Sequence, residues 1–292
     1  MAKILVLGAY GLVGASLCKR LAKAGHTVSR QGRRETAEVR LDPTDVAALG
    51  RALDHFEPDA VVNLAAATNV DRCEEDPQAA YFGNVRPVEA LAAAIAARAG
   101  RAPHLVQVSS DQVYDGQGPH VEGDARPCNV YALSKYAAEL AAATVGATVL
   151  RTNLFGRSHA AGRASLSDWV VDSLRAGMKI TVFDDVLFSA LHLDTLSDAI
   201  AQAVALAPAG VFNAGCRDGI SKARFALYLA DRLGLDRALM TVGASSGAGS
   251  RARRPLDMRM DQGKFERAFG TRAPSIESQM NLAVMEYRHE PT

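Results

Sequence analysis

Short apolar runs at residues 3–7, 26–30, 59–64, 104–109 and 147–151 alternate with helix-like segments at about 12–24, 44–56, 78–100 and 130–145. Strands separated by helices of this length imply parallel crossovers, because a tight hairpin joins only antiparallel neighbours. The runs are apolar on both faces, as a sheet covered from both sides requires. This rhythm predicts an α/β fold, a Rossmann-like doubly wound parallel sheet.

After about residue 156 the rhythm loosens. Residues 157–165 carry Gly, Ser, His and Arg, which suits a mobile loop. A helix is expected at 166–176, a short strand at 179–183, a helix at 194–207 capped by Asp194, a short strand at 210–213, and a helix at 221–233 beginning at Ser221. Residues 243–250 are flexible by composition and can close over a ligand as a lid. The expected organisation is a dinucleotide-binding domain, 1–156 and about 184–208, carrying a smaller discontinuous lobe. That lobe spans about 157–183 and 209–292, with a substrate cleft between the two.

Composition narrows the function. The 292 residues are 48% hydrophobic and 22% charged, ordinary for a soluble globular chain. A net charge of +1 gives no global field for nucleic acid or an anionic membrane, so an anionic ligand needs local basic residues. The first apolar run is too short for a signal peptide, and no stretch approaches the roughly 20 apolar residues of a membrane span. Cys18, Cys73, Cys128 and Cys216 lack metal or disulfide spacing, and the histidines are scattered. Reduced thiols in a cytoplasmic protein, with no metal site, are the expectation.

Gly8, Gly11 and Gly14 form a G-x-x-G-x-x-G turn between the first strand and the first helix. Such glycines allow a tight turn, close approach of a pyrophosphate, and close helix–strand packing. The helix N-terminus then meets the phosphate, with Tyr10, Leu12 and Val13 between the glycines. An NAD site places an acid at the end of the second strand. This chain has Arg30-Gln31-Gly32-Arg33-Arg34 there, with no acid before Glu35, which predicts a preference for NADPH, with Arg33 on the 2′-phosphate. NADH is the alternative. Asp42 can cap the adenine end, and the small residues Ala65, Ala66 and Ala67 let the cofactor lie close to the strand ends.

Tyr131 and Lys135 lie four apart on a predicted helix, hence on one face. A free tyrosine has a pKa of about 10, which an adjacent ammonium is expected to lower. Lys135 can also hold the nicotinamide ribose. Ser110, at a strand end, can bond the substrate oxygen, so that Tyr131 supplies a proton as hydride reaches a carbonyl carbon. Asn84 is a candidate for a supporting proton relay.

With Val62-Asn63-Leu64-Ala65-Ala66-Ala67-Thr68, Val70-Asp71, Ser109-Ser110-Asp111-Gln112-Val113-Tyr114-Asp115-Gly116, Asn129-Val130-Tyr131-Ala132-Leu133-Ser134-Lys135, Leu150-Arg151-Thr152 and Arg253-Arg254-Pro255, nearly the whole chain resembles the dTDP-4-dehydrorhamnose reductase family of extended short-chain dehydrogenases/reductases. The resemblance implies a catalytic set of Ser110, Tyr131 and Lys135. It implies substrate contacts from Ser110, Asp111, Val113, Tyr131, Asn153, Arg253 and Arg254, with Arg251, Arg253 and Arg254 available to a substrate diphosphate.

The chain departs from the family in two places. Family reductases commonly read Arg-Thr-Ser-Trp where this chain has Arg151-Thr152-Asn153-Leu154-Phe155, so an aromatic is absent or displaced to Phe155. Gln112 replaces the glutamate of related dehydratases, which disfavours dehydration. The expected activity is NADPH-dependent reduction of a 4-keto group on a nucleotide-activated deoxysugar. A nucleotide-sugar epimerase is one alternative. A non-catalytic NADP-binding regulatory subunit like that of methionine adenosyltransferase is the other. By analogy with the superfamily, a homodimer is expected.

Overall fold

The computed structural model describes residues 1–247, 249 and 252–289. Seven strands form one parallel sheet: β1 (Lys3–Leu7), β2 (Thr27–Gly32), β3 (Val39–Arg40), β4 (Ala60–Asn63), β5 (His104–Val108), β6 (Thr148–Thr152) and β7 (Gly210–Ala214), in spatial order β7-β6-β5-β4-β1-β2-β3. The helices that matter here are α1 (Leu12–Lys23), α2 (Val46–Phe56), α3 (Arg86–Ala96), α4 (Val130–Ala143), α5 (Leu166–Arg175), α6 (Leu193–Leu206), α7 (Lys222–Leu233) and α8 (Ile276–Arg288).

Side-chain alternation along β1 shows how the layers form. Ile4 and Val6 face a core shared with Leu17 of α1 and Leu196 of α6, whereas Leu5 and Leu7 pack with Leu49 of α2, Leu91 of α3 and Ala138 of α4. The doubly wound sheet is therefore as expected. Its strand order reverses between β1 and β4, and the carboxyl ends there open the crevice where such folds take ligands.

Several local expectations change. The predicted helix at 78–100 is broken: Pro77–Ala80 and α3 are joined by a π-helical turn, Tyr81–Val85, just ahead of Pro87. His192, not Asp194, caps α6, its ring Nδ1 accepting from the Asp194 N–H at 3.3 Å. Ser221 does cap α7, through the Arg224 N–H. Strand β3 and the helices Val70–Glu75, Gly263–Phe269 and α8 have no counterpart in the sequence reading.

The strand expected at 210–213 falls in the smaller lobe by sequence, yet it pairs with β6 as the edge of the central sheet. The lobe has its own cluster around Val170, Leu174, Ile180 and Val182. Phe188, Phe225, Met280 and Tyr287, however, belong to the same core as Ile4 and Val6, so the apolar interior is continuous across the expected boundary.

The glycine–serine stretch at 243–250 is held at Ser245. Ser245 donates its N–H and hydroxyl to the Asp185 carboxylate at 2.9 Å each. Residues 248 and 250 lie outside the described residues, as does Arg251.

Candidate active site

The turn after β1 is shaped by what glycine lacks. Gly8 has φ +76°, and a Cβ there would stand 2.9 Å from the Ala65 nitrogen. A Cβ on Gly14 would stand 2.5 Å from the Gly8 carbonyl oxygen and 2.6 Å from Ala9. Gly11 occupies the N-cap of α1 and offers no side-chain cap, so the first N–H groups of that helix, at Leu12 and Val13, keep their affinity for an anion. Bare backbone facing the small residues Ala65–Ala67, beside an uncapped helix N-terminus, fits a dinucleotide diphosphate.

Gln31, which the sequence reading passed over, locks this turn. Its side chain is buried, accepts from the Gly8 N–H at 3.0 Å and donates to the Leu41 carbonyl at 2.9 Å. Because three backbone atoms stand within 2.6 Å of where its Cβ would sit, a Gly14→Ala substitution must displace the turn. We expect a loss of about 1–3 kcal/mol in unfolding free energy together with at least tenfold weaker dinucleotide binding. Urea denaturation and calorimetric titration check both effects.

At the end of β2, Arg33 is exposed and has no partner among the described residues. Arg34 donates to the Ala161 carbonyl at 3.2 Å, and Arg30 pairs with Glu38 at 3.1 Å. Asp42 is exposed; one carboxylate oxygen accepts from the N–H and hydroxyl of Thr44, which hold the carboxyl below the usual carboxylate range.

Ser110, Tyr131 and Lys135 are all buried, with Ser110 at the end of β5 and Tyr131 and Lys135 one turn apart on α4. Ser110 stands close enough to the Tyr131 phenol to favour its ionised form, its hydroxyl donates to Asp111 Oδ1 at 3.4 Å, and Lys135 Nζ donates to the Val108 carbonyl at 2.8 Å. The electrostatics differ from expectation. Burial pushes the Tyr131 phenol up to about 12, with Asp111 adding to the rise and Ser110 opposing it. The anticipated lowering by Lys135 is not what governs Tyr131, because a buried phenolate loses more in hydration than its neighbours return. Lys135 itself is lowered to about 8 by burial, against the partial support of Glu139.

Asp111 is also buried, and burial raises its carboxyl to about 7. Asn153 Nδ2 donates to it at 2.7 Å, and the Lys222 ammonium and Ser110 hydroxyl also oppose the rise. Lys222, at the first position of α7, was not foreseen; only the topology brings α7 to the end of β5.

Asn84 and Val113 take up positions that the sequence does not foretell. Asn84 accepts from the Ala67 N–H at 2.7 Å and donates to the Ala67 carbonyl at 3.1 Å and the Ser134 hydroxyl at 2.8 Å. Ser134 in turn donates to the Tyr131 carbonyl at 2.7 Å. Asn84 thus braces the Ala67 loop against α4, with both amide hydrogens and one acceptor site of its oxygen engaged by the protein. The π-helical turn aims it inward, and Gly83 lets it approach, since a Cβ there would stand 2.8 Å from the Ala67 Cβ. Val113 has no exposed surface and packs with Tyr114 and Met260, so it does not face a substrate.

The C-terminal basic segment reaches the same place. The Arg253 carbonyl accepts from Asn129, the N-cap of α4, at 2.8 Å. Its guanidinium pairs with Asp115 at 2.8 Å, and that of Arg254 pairs with Asp71 at 3.0 Å. Arg254 Nη1 is buried without a hydrogen-bond partner among the described residues. Elsewhere His192, Asp194 and Glu286 bring three ligand-type atoms within 4.8 Å of one another. Both His192 nitrogens already serve protein partners, the Asp194 N–H and Glu286 Oε2.

Among the described residues, no helix is long and apolar enough to cross a membrane. The family model RmlD substrate binding domain matches residues 2–289. A dTDP-4-dehydrorhamnose reductase of Burkholderia thailandensis is 35% identical over 219 residues, covering 73% of this chain and 70% of that protein. A probable low-salt glycan biosynthesis reductase of Haloferax volcanii is 28% identical and covers 96% of both chains. The crystal structure of dTDP-4-dehydrorhamnose reductase from Bacillus anthracis in complex with NADP shares the fold, with a TM-score of 0.85 at 21% identity over 98% of this chain and 99% of that one.

Proposed function

The chain belongs to the RmlD substrate binding domain family, and on that premise we propose that it reduces the 4-keto group of a nucleotide-activated deoxysugar with NADPH. The observation that carries this reading is the buried Ser110–Tyr131 pair, one helical turn from Lys135 and served by the glycine turn of β1. The diphosphate of NADPH would lie on Gly8–Gly14 and the N-terminus of α1, with its ribose ends toward Arg33 and Lys135. When bound, it supplies the hydride.

The rest of the chemistry belongs to the chain. A phenol raised to about 12 stays protonated at neutral pH, the state a general acid needs. Ser110 and Tyr131 would hold the carbonyl oxygen, and Tyr131 would give it a proton as the alcohol forms. The phenolate left behind lies one turn from the Lys135 ammonium. Arg254, with one free nitrogen, and Arg253 would meet the substrate diphosphate. Asn153, held by Asp111, stands where family members carry the residue before an aromatic, so the sugar would pack against less aromatic surface. Four unpaired cysteines support a cytoplasmic setting, and a homodimer remains our expectation for the assembly.

Because burial lowers Lys135 to about 8, its positive charge is mostly present at pH 7 and is lost as pH rises through 8. Activity that depends on this ammonium should fall about tenfold per pH unit above that point. A kcat/KM profile that falls above pH 8 beside a flat profile in Lys135→Met would agree. A wild-type profile flat to pH 10 would contradict the assignment.

The test of the function is NADPH consumption with dTDP-4-dehydrorhamnose. One NADPH oxidised per sugar supports reduction. Interconversion of sugars without net oxidation would favour an epimerase. Tight NADPH binding without turnover on any keto-sugar nucleotide would favour a regulatory binding protein.

A further inference from the structure

We propose that Tyr10 and Gly32 together set the choice of dinucleotide, with Tyr10 excluding the side chain that an NAD site requires. The inference rests on the NADPH reading above and adds a selectivity residue to it.

Gly32 is the last residue of β2, where dinucleotide folds that take NAD place an acid for the ribose 2′-hydroxyl. Its backbone is not in the left-handed region, so nothing in φ demands glycine. The demand comes from Tyr10. A Cβ on Gly32 would stand 2.5 Å from Tyr10 Cδ2 and 2.9 Å from Cε2, with Ala37 Cβ at 3.3 Å on another side. The ring thus occupies the volume through which an Asp or Glu at position 32 would leave the backbone.

The ring cannot readily step aside. Its hydroxyl accepts from the Glu38 N–H at 3.1 Å, and the Arg30 guanidinium lies 5.9 Å from its centroid. Arg30 is in turn paired with Glu38 at 3.1 Å, so that acid is already engaged by a cation. Tyr10 also sits within the phosphate turn, two residues after Gly8. One side chain therefore joins the diphosphate end of the site to the turn at 33–38 that presents Arg33. The 2′ position is left to a basic, hydrogen-bond-donating surface, and the acidic alternative is sterically closed.

The test is equilibrium binding of NADPH and NADH without substrate, by calorimetry, for wild type, Tyr10→Ala, Gly32→Asp and the double variant, each checked for folding by thermal melting. Wild type should prefer NADPH by at least tenfold. Gly32→Asp alone should weaken both ligands, because the new side chain must push the ring and its turn. The double variant should bind NADH at least tenfold more tightly than Tyr10→Ala does, reversing the preference. If Gly32→Asp alone unfolds, the comparison of the double variant with Tyr10→Ala still decides. NADH affinity in Gly32→Asp equal to that of the double variant, or no gain in the double variant, would overturn the inference while leaving NADPH binding by wild type intact. Wild type that binds neither dinucleotide would overturn the cofactor reading and this inference with it.

Discussion

Tyr131→Phe should lower kcat for keto-sugar reduction by about 10²–10⁴-fold while leaving the NADPH dissociation constant within about threefold of wild type. The substitution removes one oxygen from a ring that is 7% exposed, so packing against Val70, Cys73 and Ala80 is kept. What disappears is the phenol that stands beside Ser110. Ser110 would still polarise the carbonyl, so some activity should remain above the uncatalysed rate. Ser110→Ala should remove the other contact to the same oxygen, and the double variant should cost less than the sum, because the two groups act on one atom. A Tyr131→Phe enzyme that keeps wild-type kcat at pH 7 would remove Tyr131 from the chemistry.

The second large effect is on stability. Arg151 and Glu139 are each 2% exposed in their side chains and pair at 2.6, 3.0 and 3.1 Å. Arg151 also donates to the Tyr114 hydroxyl at 2.9 Å and the Glu122 carbonyl at 2.8 Å, and Ser109 donates to Glu139 at 2.5 Å. Such a pair does little for stability when compared with apolar residues of the same size, but removing one partner strands a buried charge. Glu139→Ala should therefore cost about 3–5 kcal/mol, a large share of the roughly 5–15 kcal/mol that holds an ordinary domain folded. Urea denaturation reads this directly. Glu139→Leu with Arg151→Met should recover much of it, which a simple cavity would not allow.

The same pair reaches the site through the next helical turn. Glu139 is four residues from Lys135 and supports its charge, against the burial that lowers it. Glu139→Gln, milder in stability, should move the alkaline limb of the kcat/KM profile below pH 8. An unmoved limb would mean that Glu139 serves the fold alone.

The fold was readable because its signals are local. Alternating apolar runs and the glycine spacing report on neighbouring residues, and Ile4 and Leu5 do face the opposite layers that such alternation implies. Gly8, Gly14, Ser110, Tyr131 and Lys135 were readable for the same reason, since each stands in a short motif. What escaped depends on distant partners. Gln31 and Lys222 gain their roles from Gly8 and Asp111, each more than twenty residues away. The three bonds of the Asn84 amide are equally invisible in sequence, because the π-helical turn supplies them. Helix spacing reports proximity to Lys135 but says nothing of burial, which is the larger influence on the Tyr131 phenol. The strand expected at 210–213 joins the central sheet through β6, because a short strand carries no mark of the sheet it joins.

The central claim, hydride delivery to a keto-sugar nucleotide, is tested most directly by tracing the label. NADPH deuterated at both hydrogens of nicotinamide C4 is incubated with dTDP-4-dehydrorhamnose and the purified protein, and the sugar is examined by mass spectrometry and NMR. The account predicts one deuterium at C4 of the product for each NADPH oxidised, with the signal lost in Tyr131→Phe. A sugar that gains no deuterium, or NADPH that remains unoxidised while bound, would contradict it.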